Sequence, residues 1–126
     1  MENYIVKETN LTPGIDLNYE GGTVMLKGKS IPENSLEFYQ PVYDWLDAYL
    51  EEPKNKTIVI IQLEYFNTSS SKCILDILKR VDKLDEEGND VLIKWHYDED
   101  DEDMMEAGED YSDLLDSPFE LIPIEE

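Results

Sequence analysis

One segment constrains the fold of this chain more than any other, because an apolar run, a hydroxyl cluster and a periodic helix follow one another without a break. The apolar run, from about Thr57 to Tyr65, is rich in β-branched residues and is typical of a buried strand. Its near-continuous apolar character predicts a central strand covered on both faces. The cluster Asn67-Thr68-Ser69-Ser70-Ser71-Lys72 comes next. A helix from about Ser69 to Glu87 is predicted by apolar residues at helical spacing: Cys73, Ile74, Ile77, Leu78, Val81 and Leu84.

The residues before this segment predict three strands and a helix. The strands are expected at Tyr4–Glu8, Ile15–Tyr19 and Thr23–Lys27. The Gly21-Gly22 pair between the last two strands predicts a β-hairpin. Asn34 followed by Glu37 resembles a capping box and marks a helix start. We expect Pro41 at the first position of the main helix, after a short first turn.

Strand and helix alternate through the rest of the chain. A strand is predicted at Val91–Tyr97, and the acids Asp98–Asp103 lead into a third helix. The apolar residues assigned to that helix are Met104, Met105, Ala107, Tyr111, Leu114 and Leu115. Phe119–Ile124 is predicted as an edge strand, since Pro123 cannot donate to a ladder. The order βββαβαβαβ therefore predicts one α/β domain over residues 1–126, with a mixed sheet, parallel pairs and about three helices. The order leaves open whether the helices cover one face of the sheet or both.

The net charge of −21 narrows the classes of partner. Nucleic acids and anionic membrane surfaces require lysine and arginine, so neither is expected to bind here. The charge is also uneven, since no basic residue follows Lys94 and fourteen of the thirty-one acids lie from Asp98 onward. A single cysteine, no signal peptide and no apolar run of membrane-spanning length favour the cytoplasm. No phosphate-loop or dinucleotide motif is present, so no cofactor is expected.

The hydroxyl cluster leaves two interpretations open on the residues alone. Asn, Ser and Thr are ordinary helix N-caps, and capping would suffice to explain them. Alternatively the cluster is a phosphorylation switch, with Thr68 as the N-cap and its phosphate bonded to first-turn N–H groups and to Lys72. Lys72, Asp76, Lys79 and Lys83 form an outward stripe with Arg80 beside it. That stripe is either a solvated helix face or a docking strip for an acidic partner.

The acidic segment after Tyr97 offers alternative functions. Asp98–Asp103 invites a calcium site, but Asp103 stands where an EF-hand loop needs glycine. His96 is the single histidine of the chain, and it has no cysteine partner for a zinc site. Cys73 is predicted to be a small core residue, so no metal site is expected. A small acidic enzyme using carboxylates after Asp98, or a calcium-sensitive interaction module, remains the alternative to the switch.

Several blocks of the chain together resemble the SiaC family of bacterial biofilm-regulation phosphoproteins. They are Pro32-Glu33-Asn34-Ser35 with Glu37-Phe38-Tyr39, Tyr65 to Lys72, Trp95 to Asp101, and Glu106-Ala107-Gly108-Glu109. The resemblance covers nearly the whole chain, and the Asn-Thr-Ser-Ser-Ser-Lys block is its most specific part. It implies a fold similar to the STAS domains of anti-sigma factor antagonists, which carry a phosphoacceptor at the start of a helix that follows a strand.

The resemblance also implies a non-enzymatic, partner-switching function. Family members are phosphorylated by a kinase with a histidine-kinase-like ATPase fold and dephosphorylated by a PP2C-type phosphatase. The unphosphorylated form binds and activates a diguanylate cyclase, which makes cyclic di-GMP. The phosphoacceptor falls on Thr68, ahead of Ser69, Ser70 and Ser71. Partner contacts are accordingly expected at Asn67, Thr68, Ser69, Lys72, Lys79 and Lys83. The resemblance favours the switch over capping alone.

Overall fold

A computed structural model describes residues 1–125 of the chain and confirms the predicted order of strands and helices. The elements are β1 (Tyr4–Val6), β2 (Gly14–Asn18), β3 (Thr23–Ser30), α1 (Ser35–Glu51), β4 (Lys56–Phe66), α2 (Thr68–Glu86), β5 (Asp90–Asp98), α3 (Glu102–Asp113) and β6 (Phe119–Ile124). Over this part of the chain, no helix combines the length and apolarity that crossing a bilayer requires.

The strands form one six-stranded sheet in chain order, β1-β2-β3-β4-β5-β6. The first two pairs are antiparallel, and the second of them, β2 with β3, is the predicted hairpin; the remaining three pairs are parallel. Each parallel crossover steps in the same direction, so right-handed connections place all three helices on one face. The expectation that β4 is central is therefore confirmed, but coverage of both its faces is wrong.

The uncovered face of the sheet explains why the apolar run of β4 led to the wrong prediction that both faces of the strand are covered. Residues of β4 alternate between buried and half-buried, and the half-buried positions carry Ile58 and Ile60. Met25 and Leu92 occupy equivalent positions on the neighbouring strands. These apolar side chains cover one another across the strands without a second layer, so a continuous apolar run arises from a sheet open on one side.

The helix α1 runs unbroken from Ser35 to Glu51, with Pro41 inside it rather than at its first position. Pro41 removes the backbone bond to the carbonyl of Glu37, one turn earlier. Pro41 is exposed, so water can satisfy that carbonyl. The predicted capping box is confirmed, because the Asn34 Oδ1 atom accepts from the Glu37 N–H at 3.1 Å.

The core lies between the sheet and the three helices, and α3 approaches the sheet very closely. A Cβ atom on Gly108 would lie 2.6 Å from side-chain atoms of both Trp95 and Leu121, so only glycine fits there. The Trp95 side chain is fully buried, and its indole N–H donates to the Met104 carbonyl at 3.0 Å. Leu114 and Leu115 were assigned to α3, which instead ends at Asp113; Leu114 is 61% exposed, whereas Leu115 is buried.

Candidate functional site

The hydroxyl cluster lies at the edge of the sheet where the parallel strands end, which is where open α/β sheets usually bind ligands and partners. One residue, Asn67, separates the end of β4 from the start of α2. The pairing of β3 with β4 shifts register at Glu64, which has no partner residue on β3. After that bulge, the Asn67 N–H donates to the Ser30 carbonyl at 3.0 Å. The corner that presents the hydroxyls is thus tied to β3.

The N-cap of α2 is Asn67, which corrects the expectation that Thr68 caps the helix. The Asn67 Oδ1 atom accepts from the Ser70 N–H at 2.9 Å and from the Ser69 hydroxyl at 3.2 Å. Thr68 is therefore the first helical residue. A phosphate on Thr68 would still lie beside the N–H groups of the first turn, which have no helical partners.

Ser70 belongs to the scaffold of the site. It is fully buried, and its hydroxyl accepts from the Ser30 hydroxyl at 2.7 Å and donates to the Ser30 carbonyl at 3.1 Å. The Tyr39 hydroxyl lies 2.6 Å from the Ser30 hydroxyl, and burial raises the pKa of Tyr39 to about 12. From the opposite side, the Tyr111 hydroxyl donates to the Ser71 carbonyl at 2.9 Å. The start of α2 is thus held between α1 and α3.

Among the four consecutive hydroxyls, Thr68 is the one left free. The Ser69 hydroxyl lies 2.7 Å from that of Ser35 on α1, and the Ser71 hydroxyl donates to the Thr68 carbonyl at 2.8 Å. Thr68 is exposed, and its hydroxyl forms no hydrogen bond with any of residues 1–125. A kinase can reach this oxygen without breaking any contact that its hydroxyl makes.

The N-terminus of α2 also differs from the other two in its charge. The first turn of α1 contains Glu37, and that of α3 contains Glu102 and Asp103, whereas the first turn of α2 contains no acid. In a chain with thirty-one acids, this is the helix start whose dipole is left uncompensated. Lys72 lies one turn along α2 and is exposed. Negative charge added at Thr68 would therefore meet a favourable field.

The predicted lysine stripe is present on the outward face of α2. Lys72, Lys79 and Lys83 are all exposed and form no ion pair within residues 1–125. Arg80 is engaged elsewhere, since its Nε lies 3.0 Å from an Asp47 carboxylate oxygen and its guanidinium lies over the Tyr43 ring. With 1.5 Å of rise per residue, Lys79 and Lys83 lie about 10 and 16 Å along the helix from Lys72. The stripe is thus an extension of the Thr68 site.

Two apolar side chains near Thr68 escaped the sequence analysis. A groove of about 700 Å³ runs between the starts of α1 and α2, and Leu36, 62% exposed, lines it together with Thr68 and Lys72. A smaller depression of about 210 Å³ lies between the end of β4 and the start of α3, and Tyr65, 56% exposed, borders it. Leu36 lies outside the apolar stripe of α1, and this position in the sequence could have identified it as an exposed apolar residue.

Carboxylates of the acidic segment Asp98–Asp103 accept hydrogen bonds from backbone N–H groups. The carboxylates of Asp98–Asp103 line an open depression of about 490 Å³. Asp101 caps α3 by accepting from the Met104 N–H at 3.0 Å, and Asp98 accepts from the Asp100 N–H at 3.0 Å. His96 lies half-buried on the open face, where burial and then the charge of Lys94 lower its pKa. His96 shares a pocket of about 260 Å³ with the carboxylates of Glu64, Asp98 and Asp101.

A second group of carboxylates, which the sequence did not single out, lies at the other end of α2. Oxygens of Asp82, Glu86 and Asp116 are within 4.8 Å of one another. Asp82 is buried, and its carboxylate accepts from the N–H groups of Asp116 and Ser117 and from the Ser117 hydroxyl. Asp82 therefore anchors the loop that precedes β6. Cys73 is buried on α2, as predicted.

Comparison with known proteins gives consistent matches over nearly the whole chain. A family model described as "SiaC family regulatory phosphoprotein" matches residues 6–124. An uncharacterized protein of Pseudomonas aeruginosa strain UCBPP-PA14 is 31% identical over 121 residues, which is 96% of each sequence. The crystal structure of apo-SiaC from Pseudomonas aeruginosa superposes with a TM-score of 0.90 at 30% identity, covering 97% of this chain and 99% of that one. A chain in the crystal structure of the diguanylate cyclase SiaD in complex with its activator SiaC, from the same species, gives a TM-score of 0.91 at 30% identity and covers 96% and 99%.

Proposed function

This chain belongs to the SiaC family of regulatory phosphoproteins, and we propose that it is a partner-switching protein whose switch is the hydroxyl of Thr68. One observation carries the proposal: Thr68 joins an exposed, unbonded hydroxyl to a helix start without a compensating acid. Neighbouring hydroxyls lack this combination, since Ser70 is buried and Ser69 and Ser71 are hydrogen-bonded. The partner surface includes Asn67, Thr68, Ser69 and Lys72, with Lys79 and Lys83 as outer contacts.

Phosphorylation would act on the binding surface and leave the fold intact. A phosphate adds about −1.5 to −2 charges and three acceptor oxygens at Thr68. A partner that covers a neutral hydroxyl would then have to cover a dianion, and Lys72 would turn toward the phosphate. One lost contact together with this desolvation costs several kcal/mol, which is sufficient to abolish a micromolar complex.

The proposed output partner is a diguanylate cyclase. Its support is the solved complex in which SiaC, 30% identical to this chain, is the activator of the cyclase SiaD. The same proposal includes a kinase with a histidine-kinase-like ATPase fold, a PP2C-type phosphatase and a cytoplasmic location. This chain itself would catalyse no reaction and would regulate the enzyme that it binds.

The test is a calorimetric titration of this protein into the host's diguanylate cyclase most similar to SiaD. We expect the wild type and Thr68→Ala to bind, and the phosphorylated protein and Thr68→Glu to bind at least about tenfold more weakly. Asn10→Asp is the control, because it adds the same single charge on an exposed loop. Equal affinity of the wild type and the phosphorylated protein would refute the switch, and mass spectrometry that finds the phosphate on Ser69 or Ser71 would refute its assignment.

A further inference from the structure

Exposed apolar side chains are placed selectively on this molecule. Six large ones are more than half exposed among residues 1–125: Met1, Ile5, Leu11, Leu36, Tyr65 and Leu114. Single exposed apolar residues are ordinary on protein surfaces. Leu36 and Tyr65 differ because each borders a concavity: Thr68 itself lines the groove at Leu36, toward α1, and the depression at Tyr65, three residues before Thr68 in the chain, lies toward α3. The start of α2 lies between them, held on one side by the Ser35–Ser69 contact and on the other by Tyr111.

The charges around both concavities indicate what kind of surface fits them. The groove at Leu36 includes the carboxylates of Glu33 and Asp76 and the amine of Lys72. The depression at Tyr65 includes the carboxylates of Glu64, Asp101 and Asp103 and, among the described residues, no basic one. Complementary surfaces pair opposite charges around an apolar centre. The geometry therefore calls for apolar side chains with lysine or arginine opposite the depression at Tyr65, and with acidic side chains opposite Lys72, Lys79 and Lys83.

We propose that Leu36 and Tyr65 are the two anchors that bind the output partner, and that this partner presents apolar side chains within a rim that is basic where it faces the depression at Tyr65. The proposal rests on the proposed function and specifies the chemistry of the same site. Anchors on both sides of Thr68 would make the affinity for the partner sensitive to a phosphate at Thr68. A partner held at Leu36 and Tyr65 has to cover the hydroxyl between them, so a phosphate there cannot be avoided by a small shift.

The test compares matched leucine and tyrosine truncations in the cyclase titration described above. Leu36→Ala and Tyr65→Ala should each weaken binding about tenfold or more, as interface anchors do. Leu114→Ala is the control, since Leu114 is exposed to nearly the same extent and lies at the end of α3 remote from Thr68. It should change affinity less than about twofold. The association rate should also fall as salt is raised, because opposite charges steer the encounter.

The outcomes separate this inference from the function on which it rests. If both anchor variants bind as the wild type does while Thr68→Glu still weakens binding, the anchors are refuted and the switch stands. If neither the anchors nor Thr68→Glu matter, both proposals fail. An association rate that rises with salt would refute the basic rim. Circular dichroism of each variant should match the wild type, since both side chains are exposed.

Discussion

Phosphorylation of Thr68 should raise the stability of the protein while it weakens partner binding. The modified residue is the first of α2, whose first turn contains no acid, so the new charge interacts with an uncompensated helix dipole. A single charge at such a position contributes about 0.3–1 kcal/mol when exposed, and a near-dianion with Lys72 one turn away should contribute about 1–1.5 kcal/mol. Repulsion from Glu33 and Asp76, which line the same groove as Thr68, opposes part of this gain, whereas exposed charges beyond about 10 Å are screened at ordinary salt.

That free energy corresponds to a measurable shift in melting temperature. With about 2.1 cal/mol/K per residue, the unfolding entropy of 126 residues is about 265 cal/mol/K, so 1–1.5 kcal/mol raises the Tm by about 4–6 °C. Differential scanning calorimetry of the phosphorylated and unmodified protein measures the shift. Thr68→Ala treated with the same kinase serves as the control, and the gain should shrink in high salt. A fall in Tm on phosphorylation would contradict this account and would mean that the modification melts the start of α2.

Two further predictions test the scaffold of the site. Ser70→Ala should cost about 1–3 kcal/mol in urea unfolding, because it leaves the buried Ser30 hydroxyl and carbonyl short of a partner, whereas Ser71→Ala should cost less than about 0.5 kcal/mol. A smaller loss for Ser70→Ala than for Ser71→Ala would contradict the assigned hydrogen bonds. Burial raises the pKa of Tyr39 from 10 to about 12, so above pH 10 the unfolded state releases a proton that the folded state keeps. Stability should therefore fall with rising pH by about 1.4 kcal/mol per unit from this residue. Tyr39→Phe should show a shallower decline, and an unchanged slope would count against the burial effect.

Local patterns in the sequence were sufficient for the order of elements, because each pattern acts over a few residues. The Gly21-Gly22 hairpin and the capping box at Asn34 both depend on neighbouring residues alone, and both are present. Such local patterns do not show whether one face of the sheet is covered or both. An apolar run looks the same whether a second layer covers it or adjacent strands shield one another, and β4 is the second case. The sequence likewise left the position of Pro41 in the helix ambiguous, because a helix tolerates an internal proline when water can reach the carbonyl one turn earlier, here that of Glu37.

The cap of α2 was predicted to within one residue. Assigning the cap to Thr68 rather than Asn67 misplaces the side chain that accepts from the Ser70 N–H, while the predicted buried face of α2 is unaffected. The sequence could not show which hydroxyl faces the core, since that depends on where α1 packs. It also missed Leu36 and Tyr65, whose role follows from concavities formed by elements distant in sequence.

The different environments of two neighbouring hydroxyls would allow the proposed switch to operate without unfolding the protein. Ser70 and Thr68 are two residues apart on a helix, so they point about 200° apart. Ser70 is bonded to β3 inside the core, and Thr68 faces solvent. The first fixes the position of α2, which in turn fixes the place of the second. The Thr68 hydroxyl makes no hydrogen bond within residues 1–125, so its phosphorylation would break none of the contacts that hold α2 in place. The same hydroxyl one position further along, at Ser69, would couple modification to the contact with Ser35 and hence to the packing of α1.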